Sequence, residues 1–174
     1  MKSGLWMALV ASLSLCAGAY AAAGDEDDLP KGWQEGAVTL PPSPAESAWM
    51  PFFVSAATEN RFFVDGSSLS VGNDGVVRYA LKVQTAGGAR NVSYEGMRCD
   101  TREWRLYATG RLDGSWSPSR VKTWQRIQDV PQNRQHAALF LEYFCPDGIV
   151  VRSADEARDA LRRGGHPATR RSGA

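Results

Sequence analysis

The feature that most restricts the fold is a series of short segments in which apolar and polar residues alternate between glycine-containing turns. The alternation is clearest in residues 76–84, where a period of two is typical of a strand with one buried and one solvated face. The Asp74-Gly75 pair before it is a strong hairpin signal. The segment therefore predicts a β-strand with a water-facing side. Its apolar face would carry Val77, Tyr79, Leu81 and Val83, and its polar face Arg78, Lys82 and Gln84.

Similar segments follow one another through the middle of the chain. Strands are predicted over residues 52–58, 61–64, 67–71, 91–99 and 103–111, with a further short strand or an irregular segment at 121–127. Gly96 predicts a β-bulge within its strand. Turns at Asp65-Gly66, Gly87-Gly88 and Asp113-Gly114 separate the segments. Six or seven strands joined by short turns favour an antiparallel meander over any βαβ arrangement.

Two helices are predicted towards the C-terminus. Asn133 can cap a helix that runs through Phe144. Ser153 and Glu156 form a capping box for a second helix, which Gly164-Gly165 ends. The fold class is therefore α+β: an antiparallel sheet of six to seven strands with one or two C-terminal helices packed on it. The apolar stripe of the first helix would consist of Leu139, Phe140, Tyr143 and Phe144.

Residues 1–23 have the pattern of a signal peptide. One lysine precedes an apolar stretch, and small residues follow it. Cleavage is expected after Ala21 or Ala23. The pattern predicts export, and the expected location of the mature protein is the periplasm. An uncleaved membrane anchor is an alternative, although the apolar run is short for one. A lipoprotein acylated at Cys16 is another, although Leu15 suits acylation poorly, and exposure at the cell surface is a third.

The rest of the chain divides into three parts. Residues 24–50 contain four prolines and little periodicity, so they predict an extended arm. Trp33 and Trp49 would dock this arm as hydrophobic staples, with ligand stacking as the alternative role. Residues 51–165 form the predicted β domain with its helices, and residues 166–174 are expected to be a flexible tail.

Removal of the leader leaves two cysteines, Cys99 and Cys145. In an oxidising compartment, two thiols in a small domain are more often paired than free. A bridge between them would stabilise the fold by about 4 kcal/mol in the chain-entropy model. A metal site would need more ligands than His136 and His166 can add, and a catalytic thiol would need a nearby base. The sequence therefore predicts one disulfide, which pins the first helix to the sheet.

Charge and motif content exclude several functional classes. The formal net charge is +1, which argues against a nucleic-acid binder, whose surface would be strongly basic. The Gly-x-Ser-x-Gly, P-loop, His-Glu-x-x-His and Cys-x-x-Cys patterns do not occur. No catalytic residue, metal ligand or cofactor is predicted, and His136 is expected to be a structural histidine.

Two groups of side chains remain as candidates for a site. Carboxylate pairs for glycoside hydrolysis can be distant in sequence, and the candidates are Glu95, Asp100, Glu103 and Asp113. Aromatic residues can stack on sugars or peptides, although rows of them are more often core. Arginines could contact phosphate-bearing envelope molecules or a lipid surface, although they also suit a helix C-terminus. The candidate binding surface comprises Tyr94, Tyr107, Trp116, Arg158 and Arg162.

Several sequence strings point to a family. They are RFFVD at 61–65, SLSVG at 68–72, GVVRY at 75–79, NVSYEGMRC at 91–99, YATGR at 107–111 and YFCP at 143–146. In this order they resemble the CNP-one-like family, exported proteins of β-proteobacteria, over residues 33–165. The resemblance implies export but no catalytic residues, because no activity is assigned to the family.

A weaker resemblance is to surface-adhesin protein E domains. It rests on the aromatic-Val-Asp-x-x-Ser pattern, which begins at Phe63, and on the later Gly114-Ser115-Trp116. It implies an antiparallel sheet with a packed helix, and no function, because a fold does not transfer function.

Two functions are consistent with these patterns. The first is a non-catalytic binding or scaffold domain of the cell envelope, whose partner is an envelope protein, peptide or glycan, with peripheral membrane contact as a further option. The second is a hydrolase of envelope glycan or peptidoglycan that uses an unidentified carboxylate pair. Export, small size and the lack of a reactive motif favour the first.

Overall fold

The computed structural model describes residues 32–131 and 133–169. The predicted signal peptide, Cys16, the start of the arm at 24–31 and the end of the tail at 170–174 lie outside the described residues. Within the two described ranges, no helix has both the length and the apolar character needed to cross a bilayer.

Eight antiparallel strands form one sheet, as the alternating segments predict. The spatial order is β1-β2-β4-β5-β6-β7, with β3 paired to β4 and β8 paired to β6. Strand β7, which the sequence pattern does not mark, brings the number to eight. The strands are β1 (Trp49–Phe52), β2 (Arg61–Asp65), β3 (Ser70–Val71), β4 (Val76–Gln84), β5 (Arg90–Arg98), β6 (Glu103–Gly110), β7 (Trp116–Pro118) and β8 (Gln125–Arg126).

The first strand differs from its predicted position at residues 52–58. Strand β1 begins at Trp49 and ends at Phe52. Beyond it, the hydroxyls of Ser55 and Thr58 accept hydrogen bonds from N–H groups two residues later, at 3.1 and 3.2 Å. Such local side-chain bonds offer the backbone an alternative to strand pairing. The prediction is wrong here because these local turns replace the strand.

A helical layer covers one face of the sheet. Helix α1 (Arg134–Ala138) begins after Asn133, which makes no side-chain capping bond. The helical path continues to Phe144 as predicted, but with the i→i+5 hydrogen bonding of a π-helix over Leu139–Phe144. Turns of this kind are rare in proteins. The predicted apolar stripe is buried: Leu139, Phe140, Tyr143 and Phe144.

Helix α2 (Ala154–Arg163) begins at the predicted capping box. Ser153 Oγ accepts the N–H of Glu156 at 3.2 Å. The Glu156 carboxylate accepts the N–H of Arg152 at 2.7 Å, one residue before the cap, where a full capping box would use the N–H of Ser153. Gly164 ends the helix with a φ of 67°, a left-handed conformation that glycine adopts without strain. Both the start and the end signals of this helix are confirmed.

The main core lies between the sheet and the helical layer. The predicted apolar face of β4 points into it, with Val77, Tyr79 and Leu81 buried. Cys99 follows β5, Cys145 follows the π-helical turn, and the two form a disulfide with their Cα atoms 5.4 Å apart. The predicted bridge is confirmed, and it fastens the helical layer to the sheet.

The opposite face of the sheet is covered, so the predicted water-facing side of β4 is wrong. Arg78 and Lys82 are each only 6% exposed. Residues 32–48, here named the strap, lie on this face, where Val38 and Leu40 pack against a second, smaller core. Carboxylates of the strap form ion pairs with the buried cations. The buried residues of the second core are Ala80, Tyr94 and Ala108.

The β-bulge is close to its predicted position but not at it. The pairing of β5 with β6 shifts between Tyr94 and Glu95, which leaves Tyr107 of β6 as the extra residue. Gly96 lies instead against the Tyr107 ring, where a Cβ atom would come 2.2 Å from the phenolic oxygen. The absence of a side chain at Gly96 therefore makes room for this ring.

Candidate functional site

A groove lies between the sheet and the start of α1. Its volume is about 320 Å³, at the lower end of the range for small-molecule sites. Glu95 of β5 lines it, and apolar walls with a few convergent polar groups are typical of ligand pockets. The other lining residues include Leu81, Val83, Trp104 and Leu106 from the strands and Asn133, Gln135 and His136 from the helical layer.

Three side chains form a hydrogen-bonded chain along the groove. Ser93 Oγ donates to Glu95 Oε1 over 2.6 Å. The other carboxylate oxygen, Glu95 Oε2, lies 2.9 Å from Nε2 of His136. Glu95 is 3% exposed and His136 is 2% exposed. The two hydrogen bonds offset part of the cost of burying the carboxylate.

The His136 ring also stacks on an indole. Its centroid lies 3.8 Å from that of Trp104, with 16° between the ring planes. His136 Nδ1 and Trp104 Nε1 are buried and have no hydrogen-bond partner among the described residues. Buried polar atoms without a partner are uncommon in proteins. Both belong to side chains that line the groove, but the two atoms themselves are not exposed to it.

Tyr79 lies beside this chain of groups. Burial raises the pKa of Tyr79 well above its usual value of 10, and the negative charge of Glu95 raises it further. The phenol therefore stays protonated and neutral under ordinary conditions. It adds a polar but uncharged group beside Glu95.

The order of the groups limits what the groove can do chemically. A nucleophilic serine needs an imidazole beside its hydroxyl to remove the proton. Here the Glu95 carboxylate lies between Ser93 and His136, so the ring does not receive that proton directly. A glycosidase needs two carboxyl groups, and among the described residues Glu95 is the only acidic one lining the groove.

The four carboxylates considered for hydrolysis do not meet. Asp100 and Glu103 both pair with Arg98, at 2.9 and 3.5 Å. Asp113 accepts hydrogen bonds within the exposed turn between β6 and β7. Only Glu95 reaches the groove. In residues 32–131 and 133–169, no three His, Cys, Asp or Glu side chains cluster in a way that could hold a metal ion.

The aromatic residues of the predicted binding surface come together beneath the strap. The Tyr94 ring centroid lies 5.7 Å from that of Tyr107 and 6.0 Å from that of Trp116. Trp116 Nε1 donates to the carbonyl oxygen of Pro41 at 2.7 Å. The Tyr107 hydroxyl donates to Glu35 at 2.5 Å, and burial together with this bond raises the pKa of Tyr107. These rings hold the strap, and their role as a binding surface stays a prediction.

An ion-pair network fastens the strap to β4 and β6. Arg78 donates to both carboxylate oxygens of Asp74, at 3.1 and 2.6 Å. Asp74 also accepts the N–H of Gly36 in the strap at 2.7 Å. Burial alone would raise the pKa of Asp74, but the hydrogen bonds outweigh it and hold the pKa at about 2. Glu35 of the strap accepts a hydrogen bond from Arg105.

The predicted basic residues lie on the other side of the molecule. Arg158 and Arg162 belong to α2, which packs on the helical side of the sheet. Arg158 donates to the carbonyl oxygen of Gly66 at 2.9 Å and pairs with Asp155 at 2.7 Å. Arg162 is exposed. The structure therefore does not join these arginines and the aromatic rings into one surface.

Sequence reasoning missed the pairing of Glu95 with His136. The two residues are 41 positions apart, one on a strand and one on a helix, so no spacing connects them. One signal was available: Glu95 lies two residues before Met97, so both side chains point to the same, apolar face of the strand. A charged residue at a core-facing position needs a buried partner.

A comparison with protein-family models identifies the family of this chain. A family model described as the CNP1-like family matches residues 28–162. The match includes all eight strands and both cysteines of the disulfide. Neither the curated proteins nor the solved structures yielded a match. The chain belongs to the CNP1-like family, the family that its sequence strings resemble.

Proposed function

We propose that this CNP1-like protein is an exported, non-catalytic binding domain of the bacterial cell envelope that holds a small polar ligand in the groove above Glu95. Export is inferred from the signal-peptide pattern of residues 1–23. The observation that carries the ligand site is the polar part of the groove lining, where the Glu95 carboxylate converges with the side-chain amides of Asn133 and Gln135.

The groove lining favours a ligand rich in hydroxyl or amide groups. Asn133 and Gln135 carry amides, which both donate and accept hydrogen bonds, and Glu95 adds a carboxylate. Leu81 and Leu106 offer apolar contact beside them. Glycan units and the ends of envelope peptides combine polar groups with apolar faces in this way. An envelope glycan or peptide is therefore the expected ligand class.

The hydrolase alternative has weaker support. The groove holds one carboxylate, and its hydroxyl and imidazole are separated by that carboxylate. Neither the two-carboxylate route nor the serine route of hydrolysis fits this order of groups. Binding without turnover is the simpler use of such a groove.

The binding proposal is tested by titrating the protein with soluble peptidoglycan fragments, separated into sugar chains and stem peptides, in a calorimeter. We expect saturable binding of one fragment class. A variant with Asn133→Ala and Gln135→Ala should bind about tenfold more weakly, because it loses two hydrogen-bonding amides. Gln128→Ala, an exposed amide that does not line the groove, is the matched control and should bind as the wild type does.

The same fragments test the absence of catalysis. After prolonged incubation with the protein, chromatography should recover them intact. Cleavage that disappears in Glu95→Gln would show that the groove is an active site. Failure of every fragment class to bind saturably would remove the binding proposal.

A further inference from the structure

We propose a second ligand site on the strap face of the sheet, a pocket that binds a small sugar ring bearing a carboxylate or phosphate group. The pocket has a volume of about 220 Å³. About seven water molecules occupy this volume in the liquid, so only a small ligand fits. The site, named the Lys82 pocket, is lined by Glu46, Trp49, Lys82, Arg90, Arg111 and Trp116 among others.

Lys82 is a buried cation with few hydrogen-bond acceptors. Its side chain is 7% exposed, and one oxygen of Glu46 lies 3.3 Å from Nζ. The remaining contacts are ring faces, with Nζ 4.5 Å from the Trp49 centroid and 4.8 Å from that of Phe63. Ring faces attract a cation but offer no lone pair to an N–H group. An ammonium has three donors, so two of them lack an oxygen acceptor among the described residues.

The pocket carries more positive than negative charge. Glu46 is 73% exposed and is shared, because its second oxygen pairs with Arg90 at 3.1 Å. Arg111 donates to the hydroxyl of Ser117 at 3.3 Å and forms no ion pair within the described residues. Three cations therefore surround one carboxylate. A cleft lined by charges of one sign, with low-dielectric walls, concentrates ions of the opposite sign.

The walls of the pocket favour a flat ring beside the anionic group. Trp49 and Trp116 both line it, and both pack on the second core. The indole of Trp116 is held in place by its hydrogen bond to Pro41. Indole side chains in a pocket wall suit the C–H groups of a sugar ring. A sugar acid or a sugar phosphate provides both the ring and the anion, with oxygen acceptors for the free donors of Lys82.

The test compares four probes by calorimetry: glucuronate, glucose 6-phosphate, glucose and inorganic phosphate. We expect both anionic sugars to bind saturably, and glucose to bind at least about tenfold more weakly because it lacks the charge-assisted hydrogen bonds. Inorganic phosphate should bind more weakly than glucose 6-phosphate, because it lacks the ring. Glucose binding as tightly as glucuronate, phosphate as tightly as glucose 6-phosphate, or no saturable binding of either anionic sugar would overturn the proposal.

Three variants locate the site. Arg111→Gln should weaken glucuronate binding about tenfold and, because the side chain is exposed, should leave the fold intact. Glu46→Gln should tighten it, because the carboxylate that competes for Lys82 is removed. Lys122→Gln, an exposed lysine that does not line the pocket, is the control and should change nothing.

The outcome is separate from that of the proposed function, since Asn133 and Gln135 do not line the Lys82 pocket, so the variant with Asn133→Ala and Gln135→Ala should bind glucuronate as the wild type does. Unchanged glucuronate affinity in both Arg111→Gln and Glu46→Gln would refute the Lys82 pocket.

Discussion

Arg98 illustrates how single residues accommodate charge inside this fold. Its guanidinium carbon lies 3.8 Å from the Trp33 ring centroid and 5.7 Å from that of Trp124. Its edge donates to Asp100 and Glu103. A planar guanidinium can stack on an indole while its N–H groups point outward to carboxylates. The side chain is 1% exposed, so these contacts replace the hydration of its two terminal nitrogens, while Nε is buried without a partner among the described residues.

Gly96 provides a test of packing at one position. In Gly96→Ala the new Cβ would lie 2.2 Å from the Tyr107 hydroxyl oxygen, and the ring is held by the hydrogen bond of that hydroxyl to Glu35. We expect the free energy of unfolding in urea to fall by about 1–3 kcal/mol. Gly87→Ala, in an exposed turn where the nearest atom would be 3.9 Å away, should leave it unchanged. Equal stability of the two variants would show that the ring moves aside freely.

Asp74 predicts a dependence of stability on pH. Its pKa is about 2 in the folded protein, against 3.8 for an unperturbed aspartate. Because the pKa of Asp74 is lower in the folded than in the unfolded protein, its ionised carboxylate stabilises the fold fully at a pH above the unfolded-state pKa. This contribution disappears as the pH falls through about 2. Asp74→Asn should therefore lower the free energy of unfolding at pH 6 by about 1–2 kcal/mol, allowing for solvent screening.

The difference between wild type and Asp74→Asn should shrink steadily as urea unfolding is repeated from pH 6 down to pH 2. Glu59→Gln, which removes an exposed carboxylate, is the control and should follow the wild type at every pH. A difference that stays constant with pH would mean that Asp74 acts through packing and not through its charge.

At the scale of elements, the strap shows what alternation can and cannot predict. The period of two correctly placed Arg78 and Lys82 on the same face of β4. It could not show that the face is covered, because the covering groups lie far away in sequence. The carbonyl of Gly36 that contacts Arg78 is 42 positions away, and Glu46 is 36 positions from Lys82. The sequence of the strap has no hydrophobic periodicity from which its packing on the sheet could be predicted.

The helical elements were more predictable because their signals are local. The capping box of α2 involves residues three positions apart, Ser153 and Glu156. The stripe of the first helix repeats within one turn, so its buried face followed from spacing alone. The π-helical turn over Leu139–Phe144 could not be predicted from spacing, because the same apolar stripe fits an α-helix equally well. The groove lay beyond prediction for the same reason as the strap, since Glu95 and His136 are 41 positions apart.

Trp33 tests how firmly the strap is held. Its Nε1 donates to the carbonyl oxygen of Asp74 at 2.9 Å, and its ring covers Arg98. Trp33→Ala should therefore lower the free energy of unfolding by about 2 kcal/mol and speed proteolytic cleavage within the strap. Phe53→Ala truncates a ring that is 68% exposed and serves as the control. A proteolysis pattern identical to that of the wild type would show that the strap does not depend on Trp33.

At the scale of the whole molecule, the sheet separates two different environments. The helical layer covers one face and borders the groove at Glu95, whereas the strap covers the other and borders the Lys82 pocket, although Arg90, Val92 and Gly110 line both. The sequence-based binding surface combined residues from both sides, with Arg158 on α2 and Trp116 beneath the strap. Residue types alone do not reveal the layer to which a side chain belongs. Layer assignment requires the register of the strands, which only the structure supplies.

The disulfide cross-links the helical layer to the sheet, and its removal tests the stability of the whole fold. Cys99 and Cys145 are 46 positions apart, so their bridge restricts a long loop of the unfolded chain. The double variant Cys99→Ala with Cys145→Ala should lose about 4 kcal/mol of unfolding free energy in the chain-entropy model.

Urea titration of the purified, oxidised protein measures this loss, and wild type treated with dithiothreitol should unfold at the same urea concentration as the double variant. Mass spectrometry of the untreated protein should show both thiols oxidised. If both thiols are free, or if the double variant unfolds like the oxidised wild type, noncovalent packing of the buried stripe alone holds the helical layer on the sheet.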